Sequence, residues 1–505
     1  MSERIDMPLE SPNPWLETKR QLLIAPRALR YVFAIAFFSM FGLTGSGAML
    51  IPFFIDEFQY TDVEANTMRA LMVVSYIVLS LITGAIFDRI GPRVSLIAGG
   101  VFGVIGSVVL ALARDRVTLT FGALVFVPLS LSFVSPVILI LLKRYSFEGN
   151  RRVVFLLAYL IKNIGAGLSY DFVDVVRDRF LETESVVIYH QYQATAARVI
   201  FLVGALSTLL GSVIAAYGIE NLVVDGRGEI IQFTTATAAA MINNVEAAPP
   251  LKSRRCCGLI IAERKFAALA VFSIIMAPAM KLFAYWNNLF PKASVRELGE
   301  SAKFGFVSSI NAWMIVLLLV PWSHLLRRYA LYKKLIAGTA MASISMFILA
   351  APAGYATYIS AQVIFTLFGE MVFSPHVDEF ATQFMATGHE GVYSSLTSLY
   401  LVAPNFLGDV FAGELLAKYC PASGERQCWA MWVIIGLSGL LSTVGLIFAR
   451  RFLLSRLDEK QNFEDTPTSA VVSPESATEK RFVIVEKQRS ADDDNEDVIE
   501  MMPRN

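Results

Sequence analysis

The sequence predicts an all-α membrane protein in which twelve transmembrane helices form two six-helix halves. Of its residues, 55% are hydrophobic and 17% are charged, whereas soluble domains carry about 25% charged residues. Apolar runs recur that reach the roughly 20 residues a helix needs to cross a bilayer. Lys and Arg also collect between alternate runs, as they do in loops that stay in the cytoplasm. These three observations define the fold class.

The twelve predicted spans fall into two groups of six. They comprise residues 29–55, 66–87, 94–113, 117–142, 153–174 and 196–218, and then 265–290, 304–323, 335–352, 357–380, 392–416 and 429–449. These runs lack the alternating pattern of a barrel strand, which excludes a transmembrane barrel. The first run is too long for a signal peptide and no small-residue cleavage site follows it, so we expect it to remain in the mature protein.

The spans divide the chain into five regions. These are a cytoplasmic segment 1–28, an N-terminal bundle 29–218, a central cytoplasmic loop 219–264, a C-terminal bundle 265–453 and an acidic tail 454–505. The tail ends in SADDDNEDVIE and has too few apolar residues to fold alone, so we expect it to be disordered. The basic loops place both termini in the cytoplasm, at the plasma membrane or an internal membrane.

The connection after the second span reads GAIFDRIGPR. It contains Gly84, Asp88, Arg89, Gly91 and Arg93. The pattern resembles the inner-loop signature of the major facilitator superfamily, Gly-x-x-x-Asp-Arg-x-Gly-Arg-Arg/Lys, and departs from it at Pro92. The resemblance implies the major facilitator fold, with helices 1, 4, 7 and 10 around a central cavity, and a conformational switch at these five residues. Charges that merely anchor a helix end at the headgroups are the alternative.

Four charged residues lie well inside the predicted spans, namely Lys162, Lys281, Glu370 and Asp409. A buried charge costs at least a few kcal/mol in a bilayer, so such residues normally face a cavity or a partner. Glu370 lies roughly 20 Å along its span, at about 1.5 Å per residue, and is therefore expected near the midplane. It could meet Lys162 across the interface between the halves. A pair within one half or a hydrogen-bonded neutral glutamate is equally compatible with the pattern.

Uncharged polar residues in bendable stretches are further candidates for a solute cavity. Thr44 lies in FGLTGSG, Asn287 in YWNN and Asn405 in APNFLGD. Gly and Pro are tolerated inside spanning helices where neighbours or water satisfy the freed backbone groups. Packing alone would also explain most such residues.

The stretch GEMVFSPHVDEF, residues 369–380, resembles the tenth helix of the proton-coupled oligopeptide transporters, which carries Gly-Glu, then Ser-Pro, then Glu-Phe. The resemblance implies that Glu370 helps to bind the amino end of a peptide. The first span lacks the Glu-x-x-Glu-Arg element with which that family handles the proton, and the fourth span lacks its buried lysine. These two absences depart from that family, so the prediction is a small organic solute; the resemblance alone suggests an amino acid or peptide-like one, and protons are candidate coupling ions.

Several other classes of function are excluded or left without support. Lys+Arg and Asp+Glu number 43 each, so no bulk basic charge indicates a nucleic-acid partner. No Cys/His cluster indicates a metal, no motif indicates a cofactor, and no nucleotide loop or nucleophile elbow indicates an enzyme. Cys420 and Cys428 flank the last outer loop, where an oxidising environment would allow a disulfide; two free thiols are the alternative.

These observations predict a secondary active transporter that carries a small organic solute across the lipid bilayer by alternating access. A receptor or scaffold that keeps the fold without transporting is the competing interpretation. The sequence leaves the oligomeric state open.

Overall fold

The computed structural model describes residues 26–146, 150–182, 186–189, 192–220, 222–224, 230–232, 264–384 and 406–464. Residues Met1–Asp458 form one compact unit. The N-terminal half contains α1 (Ala28–Phe58), a helical run Asp62–Leu112, α4 (Arg116–Arg144), α5 (Arg151–Glu182) and α6 (Ala196–Gly218). Each helix coincides with an apolar run because the backbone polar groups must be satisfied internally in lipid.

The helical run Asp62–Leu112 is divided at Gly91 into α2 (62–89) and α3 (Ile90–Leu112). Gly91 has φ 77° and ψ 171°, a region of backbone space that is essentially restricted to glycine. Both ends of the run lie at the same end of the bundle, because Arg198 donates hydrogen bonds to Glu57 and to the Ala113 carbonyl. We call this end, which carries the connection between α1 and α2, the outer end.

The C-terminal half contains six further helices. They are α7 (264–298), α8 (Phe304–Leu325), α9 (Leu331–Ile348), α10 (355–382), α11 (described over 406–419) and α12 (Cys428–Glu464). Within the described part of the chain, nine helices are long and apolar enough to cross a membrane. The predicted all-α, multi-pass architecture is thereby confirmed.

Two short hairpins lie between the helices, and the sequence did not predict either. In the connection between α5 and α6, β1 (Val186–Tyr189) pairs antiparallel with β2 (Tyr192–Ala194), with Val186 opposite Ala194. After α6, β3 (Leu222–Val224) pairs antiparallel with β4 (Ile230–Gln232). The predicted loop 219–264 therefore begins with a hairpin, while its residues 233–263 lie outside the described residues.

The core of the molecule is apolar and rich in aromatic side chains from both halves. Phe53 of α1 packs edge-on against Phe201 of α6, with ring centroids 4.9 Å apart. In the other half, Phe290 of α7 packs edge-on against Tyr358 of α10 at 5.1 Å. Such aromatic packing joins helices within each half.

Candidate functional site

Glu370 is positioned by an irregular turn of α10. Residues Phe365–Glu370 form a π-helical turn, a local irregularity that is frequent at functional sites. Directly before it, Gly369 lets α10 approach α9 closely, since a Cβ at this position would come within 2.9 Å of the Ala342 Cα. The glutamate side chain is 7% exposed and lies inside the molecule, as the sequence predicts for a residue in that span.

The Glu370 carboxyl group is held by hydrogen-bond donors from both halves. The Tyr159 hydroxyl on α5 donates to Oε1 at 3.2 Å, and the Asn311 side-chain amide on α8 donates to Oε2 at 2.5 Å. Asn311 also donates to the Thr366 hydroxyl at 2.9 Å, one turn before Glu370 on α10. Glu370 therefore bridges the N-terminal and the C-terminal half in this conformation.

Lys162 does not pair with Glu370 in this conformation. Among the residues that the structure describes, the partners of the Glu370 carboxyl group are the neutral side chains of Tyr159 and Asn311. Lys162 is half-buried and lies about one helical turn after Tyr159 on α5. Its pairing with Glu370 stays a prediction for another conformation of the halves.

Asp409 on α11 forms a second buried polar cluster between the halves. It is 1% exposed, accepts a hydrogen bond from the Asn288 side chain of α7, and lies 3.9 Å from the Arg69 Nε of α2. Lys281 of α7 lies alongside α11 as well, but its Nζ sits 5.1 Å from the centre of the Phe411 ring. The predicted residues Lys281 and Asp409 therefore lie on the neighbouring helices α7 and α11. Arg69 of α2, which the sequence did not single out, lies next to Asp409.

A cavity of about 460 Å³ opens beside this cluster, mostly within the N-terminal half. Its lining includes the predicted residues Thr44 and Asn287 together with Arg69 and Tyr170. The Tyr170 hydroxyl donates to Asn287 Oδ1 at 2.7 Å, which is another contact between the halves. Asn287 lies in the π-helical turn Tyr285–Leu289 of α7. The predicted residue Asn405 lies outside the described residues.

At the outer end, ion pairs join the two halves. Lys292 of α7 contacts Asp56 of α1 at 2.6 Å, and Arg296 contacts Asp62 at the start of α2 at 2.5 Å. In the connection before α8, Lys303 contacts Asp178 of α5 at 2.9 Å, and this hydrogen bond raises the pKa of the lysine. These contacts hold the halves together at this end.

The loop between α11 and α12 reinforces the same closure. Cys420 and Cys428 form a disulfide across it. Arg296 donates to the Cys420 carbonyl at 2.6 Å, and Arg426 within the loop donates to the Arg296 carbonyl. The disulfide-bonded loop therefore supports the arginine that pairs with Asp62.

The predicted switch residues surround the division between α2 and α3. Arg93 donates to the Ala216 carbonyl in the last turn of α6, where the helix dipole favours a cation. The backbone through Gly84, Asp88 and Arg89 is helical, while the side chains at these positions lie outside the described residues. A switching role for the five signature residues stays a prediction.

Sequence reasoning missed three residues of the site, namely Arg69, Tyr159 and Asn311. Arg69 lies near the start of the predicted span 66–87, where a charged side chain is usually interpreted as anchoring the helix end at the lipid headgroups. Asn311 was detectable as an amide residue inside the predicted span 304–323, directly before the apolar run AWMIVLLLV. Tyr159 gave no signal, because tyrosine is common in apolar spans. No group of three or more His, Cys, Asp or Glu side chains suited to a metal occurs in the part of the chain that the structure covers.

The fold and these interfacial polar groups define a multi-pass membrane protein with the architecture of a transporter. Residues 4–170 match the family model described as Major Facilitator Superfamily. No curated protein matches the sequence significantly. Similar solved structures share the fold over most of the chain.

Among the similar solved structures is a POT family transporter in complex with a thioalcohol-conjugated peptide, at 15% identity and a TM-score of 0.63, covering 86% of this chain and 99% of that one. Another is a POT family transporter in complex with 5-aminolevulinic acid, at 16% identity and a TM-score of 0.61, covering 85% and 97%. A third is an auto-inhibited POT family peptide transporter, at 15% identity and a TM-score of 0.63, covering 84% and 97%. The predicted major facilitator fold is confirmed.

Proposed function

We propose that this protein is a secondary active transporter that moves an amino acid or short peptide across a membrane by alternating access, driven by protons. The observation that carries the proposal is the Glu370 carboxyl group, which is buried between the halves and accepts hydrogen bonds from Tyr159 on one side and Asn311 on the other. A titratable group inside a membrane protein is a functional-site hypothesis by default.

Because its two hydrogen-bond donors come from different halves, Glu370 changes its hydrogen bonding when the halves move relative to each other. If the halves rock against each other, Tyr159 leaves the carboxyl group while Asn311, in the same half as Glu370, stays. A buried carboxylate that loses a donor needs another partner, because an unsatisfied charge in a low-dielectric interior is costly. A proton or the ammonium group of the solute would supply that partner, and either would favour one conformation over the other.

The comparisons support the solute class. The similar structures include POT family transporters in complex with a thioalcohol-conjugated peptide and with 5-aminolevulinic acid. The local Gly-Glu, Ser-Pro and Glu-Phe pattern around Glu370 points the same way. Because the Glu-x-x-Glu-Arg element is missing from the first helix, we assign the coupling proton to Glu370 itself.

The closed outer end supports a direction of opening. The ion pairs Lys292–Asp56 and Arg296–Asp62 join the halves there, so this conformation would release solute at the opposite end. We propose that the opposite end, which carries the signature loop and the start of α1, faces the cytoplasm. The basic residues of the loops at that end support this orientation.

Uptake by the purified full-length protein in proteoliposomes tests the proposal. A panel of labelled amino acids and dipeptides is offered with and without an inward proton gradient. We expect at least one member to accumulate only with the gradient. If no member of the panel is taken up or exchanged while the protein is folded, the receptor interpretation replaces the transporter.

A further inference from the structure

Arg69 is a half-buried arginine for which no hydrogen bond is found within the described residues. Its Nε is buried without a hydrogen-bond partner, and within the described residues its one charged neighbour is Asp409, 3.9 Å away. A guanidinium group offers five N–H donors in a planar fork. Leaving the Nε–H buried and unpaired is costly, and the guanidinium can accept a further partner through its remaining N–H groups.

The unused side of Arg69 faces open space. Its side chain is 24% exposed and lines the cavity, where it is the one charged group among the lining residues that the structure describes. At Gly47 of α1, a Cβ would stand 3.9 Å from Arg69 Nη1, so the missing side chain keeps the space beside the guanidinium free. The remaining polar lining consists of hydroxyl and amide groups such as those of Thr44, Tyr170 and Asn287.

We propose that Arg69 binds the carboxylate of the transported amino acid or peptide, in the part of the cavity beside Gly47. The assignment rests on the proposed function and names a second contact of the solute, separate from Glu370. A planar carboxylate matches the arginine fork and forms short charge-assisted hydrogen bonds with it. The cavity has about 460 Å³, within the usual range of small-molecule sites.

The alternative role of Arg69 is to neutralise Asp409. The geometry argues against this as its whole function. The pair is separated by 3.9 Å without a hydrogen bond, and Asp409 already accepts a hydrogen bond from Asn288. Asp409 instead orients the Nε side of the guanidinium and leaves Nη1 for the solute.

The experiment compares free carboxylates with their amides on purified full-length protein in detergent. The probes are L-leucine, L-alanyl-L-alanine and the C-terminal amide of each, and the measurement is the ligand-induced rise in Tm with the affinity derived from it. We expect wild type to bind at least one free carboxylate and to bind its amide far more weakly. Arg69→Gln should lower the affinity for the carboxylate roughly ten- to hundred-fold and leave the affinity for the amide unchanged.

Three further variants keep the test decisive. Arg69→Lys retains the charge without the fork and should keep the carboxylate preference at lower affinity, which covers the case that the glutamine variant does not fold. Arg116→Gln is the matched control, since this arginine donates to the carbonyls of Phe58 and Gln59 outside the cavity. It should retain the wild-type preference. Restoration of carboxylate binding in the double variant Arg69→Gln/Asp409→Asn would assign Arg69 a purely structural role and overturn the proposal.

The outcomes separate this inference from the proposed function, because binding is measured without a membrane gradient. Equal binding of acid and amide by wild type, or binding of no probe, overturns the carboxylate assignment whatever the transport data show. A carboxylate preference that depends on Arg69 upholds the assignment, even if proton-driven uptake fails and the coupling through Glu370 has to be abandoned.

Discussion

The hydrogen bonding of Glu370 depends on the relative position of the two helix bundles, because one donor comes from each bundle. Its hydroxyl donor Tyr159 is 211 residues away in sequence and belongs to the other half. The sequence identified the buried glutamate because a charge within an apolar run stands out. It could not identify the partners, because they depend on which faces of α5 and α8 meet α10 in the folded molecule.

Removing the Tyr159 hydroxyl should impair transport more than stability. In Tyr159→Phe the carboxyl group loses the donor that exists only when the halves are in this arrangement, so proton-driven uptake should slow several-fold. The loss of a hydrogen bond should lower the free energy of unfolding by about 1 kcal/mol. Initial uptake rates in proteoliposomes and thermal unfolding measure the two effects.

Tyr145→Phe is the control for Tyr159→Phe. The Tyr145 hydroxyl donates to the Glu220 carbonyl at 2.6 Å, within the N-terminal half and away from Glu370. This variant should lose a similar amount of stability and keep the wild-type uptake rate. Equal slowing of uptake by both changes would show that Tyr159 acts only through packing.

At the scale of the helices, hydropathy predicted the architecture well and local irregularities poorly. The predicted span 196–218 coincides with α6, because lipid requires a continuous apolar helix. The π-helical turn Phe365–Glu370 was not predictable, since it arises where α10 accommodates contacts with its neighbours. The division at Gly91 was visible as a signature motif, whereas its backbone conformation required the structure.

Gly91→Ala should destabilise the connection between α2 and α3. The backbone there has φ 77° and ψ 171°, where a Cβ costs about 1–3 kcal/mol. We expect a lower Tm for the alanine variant in detergent. Gly211→Ala provides the comparison, because a Cβ at this helical glycine meets its nearest neighbour at an ordinary 3.8 Å. A fall in Tm as large in Gly211→Ala as in Gly91→Ala would contradict the special role of the Gly91 backbone.

For the whole molecule, the closed outer end is the feature that defines its conformational state. Ion pairs, a disulfide-bonded loop and hydrogen bonds from arginine side chains to backbone carbonyls all converge on α7 near Arg296. Exposed pairs contribute little, but Arg296 is 7% exposed and pairs with a carboxylate while also donating to a carbonyl. In the proposed alternating-access cycle, opening the outer end would exchange these contacts for water, so they would form a barrier between the two states.

Breaking the Arg296 contacts should favour opening at the outer end. In Arg296→Gln, a cysteine introduced as Asn287→Cys in the cavity should react faster with a membrane-impermeant maleimide added from outside. The rate should rise several-fold over the Asn287→Cys protein alone. Arg116→Gln removes an arginine at the same end whose contacts, the Phe58 and Gln59 carbonyls and the Tyr60 ring, lie in its own half, and it should leave the labelling rate unchanged.

The most direct test of the central claim is the comparison of net uptake and exchange in Glu370→Gln. The amide keeps the shape and removes the titratable group, so the protein should fold and proton-driven uptake should fall to background. If Glu370 carries the proton, solute exchange between equal solutions should persist without response to a pH gradient; if it binds the solute, exchange should weaken as well. Proton-driven uptake at the wild-type rate in folded Glu370→Gln would contradict the account and leave Glu370 as a structural residue.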